Sequence, residues 1–286
     1  MTNLIQNVSD TAFWVAHYRA QETLRPDALF RDPLAQPLVG DLGRRISDAM
    51  GPMSRYTEWS VVARTLIIDQ HIEKLVGEGV DAVINLGAGL DTRPYRMNLP
   101  RDLHWIEVDQ ASIIAHKTQV LRSESPKCHL TRFEVDLANA SARRSFLAQV
   151  APRSRKALIL TEGVIPYLSP EQVSDLAADL KAQSRFAYWI AEYLDPKVYP
   201  YLQTPARAAQ MKNAPFRFFP ADWFGFFRKA GWVERETRFT GEIAHEFGRK
   251  PPMPPWMALF FRFMPESVKR KSRRMNGYVI FERDDG

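Results

Sequence analysis

The stretch from Val83 to Arg96, V-I-N-L-G-A-G-L-D-T-R-P-Y-R, constrains this chain more than any other. An apolar run breaks at a glycine turn, and an acid, Asp109, closes a second apolar run, L-H-W-I-E-V-D, twenty positions after Gly89. A short apolar run ended by glycine reads as a buried strand running into a tight turn. Gly87 and Gly89 tolerate positive φ and carry no Cβ, so backbone N–H groups can be brought against a ligand there. The acid that ends the next strand is placed to accept the hydroxyl pair of a ribose. The isolated G-x-G carries little information, whereas strand, turn and acid together point to a nucleoside-binding unit.

Beyond this unit, strand and helix patterns alternate. Apolar runs at Ala82 to Leu86, Leu103 to Val108, Leu130 to Val135, Ala157 to Thr161 and Phe186 to Tyr193 read as buried strands, with helical periodicity at Tyr56 to Val76, Glu171 to Ala182 and Asp222 to Lys229. That alternation predicts a parallel, doubly wound α/β sheet covered on both faces. Trp232 to Phe239 and Tyr278 to Glu282 supply two final strands. The pattern predicts a single domain over residues 1–286. Residues 1–55 form an N-terminal helical cap, 56–195 the cofactor-binding core, and 196–286 substrate-side insertions with the last two strands. The Pro-rich stretch Pro196 to Phe219 is expected above the sheet, and Thr240 to Asn276 is too long for a simple hairpin loop, which predicts a lid or packed excursion.

Composition narrows the function classes. An apolar content of 45% with 12% aromatics suffices for a buried core in 286 residues. The formal charge of +6 gathers near the C-terminus, at Lys269, Arg270, Lys271, Arg273 and Arg274, which favours a solvated helix face over a nucleic-acid site. The single Cys128 forms no internal disulfide, no pair of C-x-x-C units is present, and no metal ligand set is assigned. The opening M-T-N-L-I-Q-N-V-S-D lacks a basic region followed by an apolar core, and no apolar run reaches spanning length, so a cytoplasmic protein is expected. Pro254, Pro255 and Pro265 interrupt the aromatic and basic run after Met253, which favours a lid or core-packing role over a membrane contact.

In a doubly wound sheet, ligands lie outside the carboxyl ends of the strands. Glycines or acids stand at four consecutive strand ends: Gly87 and Gly89, Asp109, Asp136, then Glu162 with Gly163. Each acid alone could be a helix N-cap, but four in succession weaken that explanation. Thr92 occupies the place of the third glycine of G-x-G-x-x-G and Asp91 stands beside it, which disfavours a dinucleotide pyrophosphate. S-adenosylmethionine has no phosphate and presents a ribose diol, an adenine amine, an ammonium and a carboxylate, which suit acids at strand ends and a nearby arginine.

These residues carry a family resemblance. The segments S-D-T-A-F-W-V-A-H-Y-R-A-Q-E-T, L-F-R-D-P-L-A, A-R-T-L-I-I-D-Q, N-L-G-A-G-L-D-T-R-P-Y-R, I-E-V-D-Q, E-V-D-L and T-E-G-V-I-P-Y-L, from Ser9 to Leu168, with weaker likeness in E-F-G-R and G-Y-V-I-F-E-R, resemble S-adenosylmethionine-dependent methyltransferases of the leucine carboxyl methyltransferase superfamily. The likeness is greatest to the bacterial O-methyltransferase branch, which is similar to polyketide carboxyl O-methyltransferases. It implies a class I methyltransferase Rossmann-like sheet of seven strands in the order 3-2-1-4-5-7-6, last strand antiparallel. It also implies that Arg64 holds the cofactor carboxylate and that Gly87, Ala88 and Gly89 lie against its methionine part. Asp109 with Gln110 would bind the ribose, Asp136 and Leu137 the adenine, and Glu162 with Gly163 the ammonium end. Arg93 and Arg96 are expected to pair with local acids such as Asp91.

Methyl transfer from a sulfonium is an in-line displacement, so alignment and exclusion of water are the protein's tasks. A carboxylate acceptor is ionised at neutral pH and needs no general base, while a phenol would need one. No His–Asp pairing stands at motif spacing, and no general base is assigned, which favours a carboxylate of a small or polyketide-like molecule. Phe13, Trp14, Tyr18, Tyr193 and Phe216, with Tyr199, Tyr201, Phe218, Phe219 and Trp256, are the aromatic candidates for the acceptor pocket. Two other functions remain open at this point: a nicotinamide-dependent oxidoreductase, and a non-catalytic S-adenosylmethionine-binding protein. The oligomeric state is left open.

Overall fold

The computed structural model describes residues 9–51, 53–205, 209 and 211–284. The first eight residues, in which no leader pattern was found, lie outside the described residues. Seven strands make one sheet: β1 (Ala82–Leu86), β2 (His104–Asp109), β3 (His129–Glu134), β4 (Ala157–Thr161), β5 (Phe186–Leu194), β6 (Trp232–Phe239) and β7 (Asn276–Arg283). Their spatial order is 3-2-1-4-5-7-6, and β7 alone runs antiparallel, to both β5 and β6. This is the class I methyltransferase topology. Strand order reverses between β1 and β4, the point at which such sheets hold ligands.

The side chains of β1 and β4 explain why these strands are central. Every residue of both is buried. Ala82, Ile84 and Leu86 join Ala157 and Ile159 in the core on one face, while Val83 joins Leu158 and Leu160 on the other. Apart from Asn85 and Thr161 at or near the strand ends, both phases of the period-2 alternation are apolar, as a sheet covered on both faces requires. Helices Ala140–Val150, Pro170–Lys181 and Trp223–Lys229 cover the first face through Phe146, Leu147, Val173, Leu180 and Phe227.

Among the described residues four helices precede the sheet: α1 (Asp10–Leu24), α2 (Ala35–Val39), α3 (Leu42–Ala49) and α4 (Met53–Gly77). Ile67, Ile68, Ile72 and Leu75 of α4 cover the second face. Trp14 and Tyr18 of α1 pack with Ile46, Met50 and Val61, which fixes the N-terminal helices as a cap.

Two expectations are corrected here. The run Leu130 to Val135 is not a buried strand: β3 is the sheet edge, and its residues alternate between exposed and half-buried. Only one side of an edge strand is paired, and here few helices cover it, so polar Thr131, Arg132 and Glu134 are tolerated. The excursion between β6 and β7 is packed only in part: Ile243 of its first helix joins the core on the second face. It forms three short helices, Thr240–Glu246, Pro255–Phe263 and Glu266–Arg273, and the last two contain no buried residue. Pro255 and Pro265 set their starts, since proline is accommodated in the first turn of a helix and not in its interior. Among the described residues no helix is long and apolar enough to cross a membrane.

An aromatic cluster locks β7 to the rest of the sheet. Phe227, wholly buried, lies 4.6 Å from both Phe281 and Trp223 and 5.2 Å from Trp189, measured between ring centroids. Phe227→Ala removes a fully packed ring and leaves a cavity, with an expected loss of about 3–5 kcal/mol in the free energy of unfolding measured by urea denaturation.

Candidate active site

A cavity of about 1260 Å³ opens at the carboxyl ends of β1 to β4. Its walls include the turn Gly87 to Asp91, then Asp109 and Gln110, Val135 to Ala138, and Glu162 to Val164. Arg64 reaches it from α4. All ten residues proposed for the cofactor therefore border one cavity: Arg64, Gly87, Ala88, Gly89, Asp109, Gln110, Asp136, Leu137, Glu162 and Gly163.

The glycine turn has a different construction from the one expected. Gly87 and Gly89 have φ of 71° and 48°, and a Cβ on Gly87 would lie 2.7 Å from Val164 Cγ2. Yet the N–H groups do not face a ligand. Those of Gly87 and Ala88 are donated to the Val108 carbonyl at 2.9 and 3.1 Å, and that of Gly89 to Asp109 Oδ2 at 2.7 Å. No donor among these three is left for a phosphate, because the turn folds back onto the end of β2. Thr92, in the place of the third glycine, donates to Asp32 Oδ1 at 2.6 Å, and Asp32 also meets Arg19 at 3.0 Å. The departure from the dinucleotide pattern thus ties the helical cap to the turn.

Asp109 accepts from Gly89 and, through Oδ1, from the Gln110 N–H at 2.7 Å. Burial raises its pKa, and the two N–H donors only partly counter that. Asp136 accepts from the Ala138 N–H at 2.9 Å, while the following helix is capped by Asn139, so Asp136 is not itself its N-cap. Arg143 donates to the Leu137 carbonyl at 2.8 Å and steadies that loop.

Arg64 and Glu162 face each other, with Nε 3.0 Å from Oε1. The contact is an ion pair without hydrogen-bond alignment, and Arg64 Nε has no hydrogen-bond partner. The other Glu162 oxygen takes Arg93 Nη1 at 2.7 Å. Burial works to raise the Glu162 carboxyl, but Arg93 and then Arg64 overcome it and hold the group below its ordinary value. Arg93 is wholly buried and pairs with Asp69, Asp91 and Glu162, while Arg96 pairs with Asp69; neither arginine lines the cavity. Pairing with local acids is what the sequence led one to expect of both.

The model of the leucine carboxyl methyltransferase family matches residues 12–181. The chain belongs to the leucine carboxyl methyltransferase family. It is an S-adenosylmethionine-dependent methyltransferase, and S-adenosylmethionine is its cofactor. A protein of Streptomyces avermitilis named as a candidate S-adenosyl-L-methionine-dependent methyltransferase is 32% identical over 257 residues, covering 86% of this chain and 89% of that protein. A Streptomyces coelicolor protein with a name of the same kind is 35% identical over 185 residues, covering 61% and 64%. Among solved structures, a DUF574 family protein of Streptomyces avermitilis superposes with a TM-score of 0.55 at 14% identity, covering 94% of this chain and 96% of that one. A methyltransferase candidate of Thermobifida fusca gives 0.54 at 15%, covering 94% of each. These two likenesses concern the fold.

The residues of this methyltransferase fit its cofactor. Arg64 Nε and Asn85 Oδ1 are buried without hydrogen-bond partners and belong to residues that line the cavity, a donor and an acceptor suited to a polar ligand.

On the acceptor side, Trp14, Tyr201, Phe216 and Phe219 line the cavity. Phe13, Tyr18 and Tyr193 do not. Phe13 lies on the opposite side of α1 and packs on His116 at 5.2 Å. Tyr18 is buried, its hydroxyl taken by Trp14, Ser47 and Ser54. Tyr193 is sandwiched among Trp223, Phe224 and Phe239 beneath the sheet face. Tyr199 and Phe218 are likewise packed, and Trp256 is 69% exposed, outside the cavity. Sequence reasoning missed Tyr167, which lines the cavity and packs on Phe216 at 5.2 Å. Its place in T-E-G-V-I-P-Y-L, two residues before a Ser-Pro turn, was the available signal.

Glu192 was also missed. It is buried on β5 and accepts from the Gly163 N–H, with the Val164 N–H at 3.2 Å, while its Oε2 has no partner. Burial pushes its carboxyl up to about 7, against the opposing pull of N–H donors and Arg64. The folded protein therefore holds a proton that the unfolded chain releases near 4.5, so this contribution to stability is complete below that pH and is lost as pH rises through 7. His71, lowered to about 4 by burial, acts in the opposite sense, losing stability as pH falls from 6.5. Glu192→Gln isolates the first effect: relative to wild type it should gain up to roughly 3 kcal/mol between acidic and mildly alkaline pH, measured by urea unfolding across that range.

Proposed function

We propose that this methyltransferase is an O-methyltransferase whose acceptor is a carboxylate, or failing that a phenol, on a small or polyketide-like molecule. The observation that carries the reading is the make-up of the acceptor half of the cavity. Lys197, Lys212 and Arg217 line it beside Tyr201, Phe216 and Phe219; all three cations are exposed, Lys197 and Lys212 form no ion pair among the described residues, and Arg217 lies near enough to Glu171 to lower its carboxyl pKa. An apolar wall with a cationic mouth suits an amphipathic organic acid.

In this reading Arg64 takes the carboxylate and Glu162 the ammonium of the methionine end, since a zwitterion offers each member of that ion pair an opposite charge. Asp109, with Gln110, orients the ribose, and Asp136, Leu137 and Ala88 border the adenosine and methionine parts. Gly87, Gly89 and Gly163 keep the walls close. S-adenosylmethionine, when bound, supplies an electrophilic methyl group on a sulfonium. The chain's residues then have to hold the acceptor oxygen in line and keep water out, a task that falls to the cap, residues 1–55, and to the insertions within 196–286. No histidine lines the cavity among the described residues, and Tyr167, its pKa raised by burial, is a poor base at neutral pH. A carboxylate acceptor needs no base.

Screening aromatic and polyketide-like acids with methyl-labelled cofactor tests the reading. The expected product is an ester cleaved by mild alkali; an alkali-stable product would assign a phenol or a carbon or nitrogen acceptor instead. Lys212→Glu with Arg217→Glu should raise KM for an anionic acceptor roughly tenfold, equivalent to about 1.4 kcal/mol, with kcat little changed. An unchanged KM would remove the cationic mouth from recognition.

A further inference from the structure

The apolar residues of the helix Pro255–Phe263 face the wrong way for a packed element. Trp256, Leu259, Phe260 and Phe263 follow the i, i+3, i+4, i+7 spacing of a single helix face, and they are 69%, 58%, 64% and 79% exposed. Phe261, off that stripe, is the half-buried residue that faces the protein. None of the helix lines the cavity, so the stripe does not belong to the acceptor site. An exposed, contiguous patch of large apolar side chains on a soluble fold marks a surface that is covered by something else.

The surrounding charge says what covers it. Residues 249–274 contain eight Lys or Arg and one acid, Glu266, a net +7 against +6 for the whole chain. Half of these cations are available: Lys250, Arg262, Arg270 and Lys271 are exposed and form no ion pair among the described residues, while Lys269 and Arg273 share Glu266, Arg274 takes Glu242 and Arg249 takes Glu22 and Asp27. Two copies of the chain meeting through this helix would set these unpaired cations against one another, which opposes self-association. A nucleic acid would engage the basic residues but leave the outward stripe of Trp256, Leu259, Phe260 and Phe263 in water. A surface that is anionic outside and apolar just beneath satisfies both features at once.

We propose that the helix Pro255–Phe263 and the basic helix Glu266–Arg273 dock this protein reversibly on an anionic lipid bilayer, with the aromatic stripe entering the headgroup region and Arg262, Arg270 and Lys271 meeting lipid phosphates and carboxylates. The helix lies in the interface plane and does not span. The excursion returns to the sheet through Met275 and Asn276, both of which line the cavity, so the docked segment is continuous in the chain with the acceptor wall.

Co-sedimentation of the full chain with phosphatidylcholine vesicles, with and without phosphatidylserine, tests this. The expected result is binding to the phosphatidylserine vesicles at low ionic strength and little to neutral ones, weakened by salt on the order of 0.5 M. Phe260→Ser with Phe263→Ser, and separately Arg270→Glu with Lys271→Glu, should each reduce binding at least about tenfold. Both pairs are exposed, so circular dichroism and cofactor binding in solution should be unchanged. Three outcomes would overturn the proposal: no binding of the wild type at low salt, binding of the Phe pair variant equal to wild type, or self-association in light scattering that the Phe variant abolishes while vesicles are ignored.

Discussion

The carboxylate of Glu162 is the point on which the site depends. It directly follows β4, and its two oxygens receive Arg93 from the segment after β1 and Arg64 from α4. Arg93 in turn meets Asp69 of α4 and Asp91 of the glycine turn, and Asp69 holds Arg96. Asp32, wholly buried, adds Arg19 and Thr92 and so brings the cap into the same network. Four acids, Asp32, Asp69, Asp91 and Glu162, stand against four guanidinium groups, Arg19, Arg64, Arg93 and Arg96. A balanced cluster can be buried, whereas removing one member leaves an unpaired charge that costs on the order of 3–5 kcal/mol. The strand ends, the first helix of the core and the cap are therefore positioned by one electrostatic unit.

In the proposed reading that unit also prepares the site for a zwitterion. Arg64 and Glu162 are the two members that border the cavity, and they already carry the charges an amino-acid end requires. The glycine turn beside them spends its N–H groups on Val108 and Asp109, which leaves the first strand end without the phosphate-binding donors of a dinucleotide fold. Chemistry then follows from placement: a sulfonium needs no covalent help, and an acceptor atom aligned with its methyl group while water is kept out suffices.

Much of this was legible in the sequence because it depends on local pattern. Runs such as A-V-I-N-L and A-L-I-L-T, apolar in both phases apart from Asn85 and Thr161, identify central strands to the residue. The order 3-2-1-4-5-7-6 was not in any periodicity and came from the family resemblance. What local pattern misread was direction. Phe13, Tyr18 and Tyr193 are aromatics of the expected kind, but helical phase and the crowded Trp223 cluster turn them away from the cavity that Trp14 and Phe216 reach. The turn N–H groups were expected to face the ligand, and the pull of Val108 and Asp109 on them has no signature in G-A-G. The apolar helix after Pro254 reads as packing in sequence, because periodicity reveals a stripe and not which side is covered. Tyr167 and Glu192 matter through contacts across more than twenty residues of chain, which spacing cannot disclose.

The measurement that bears most directly on the account is calorimetric titration of wild type, Asp109→Ala and Arg64→Met with S-adenosylhomocysteine and, separately, NADH. The account predicts that wild type binds the adenosyl ligand and not NADH, and that each variant remains folded and weakens binding by at least about tenfold, or about 1.4 kcal/mol. Binding of NADH in preference, or adenosyl affinity unaffected by both substitutions, would contradict the placement of the cofactor at the ends of β1, β2 and β4.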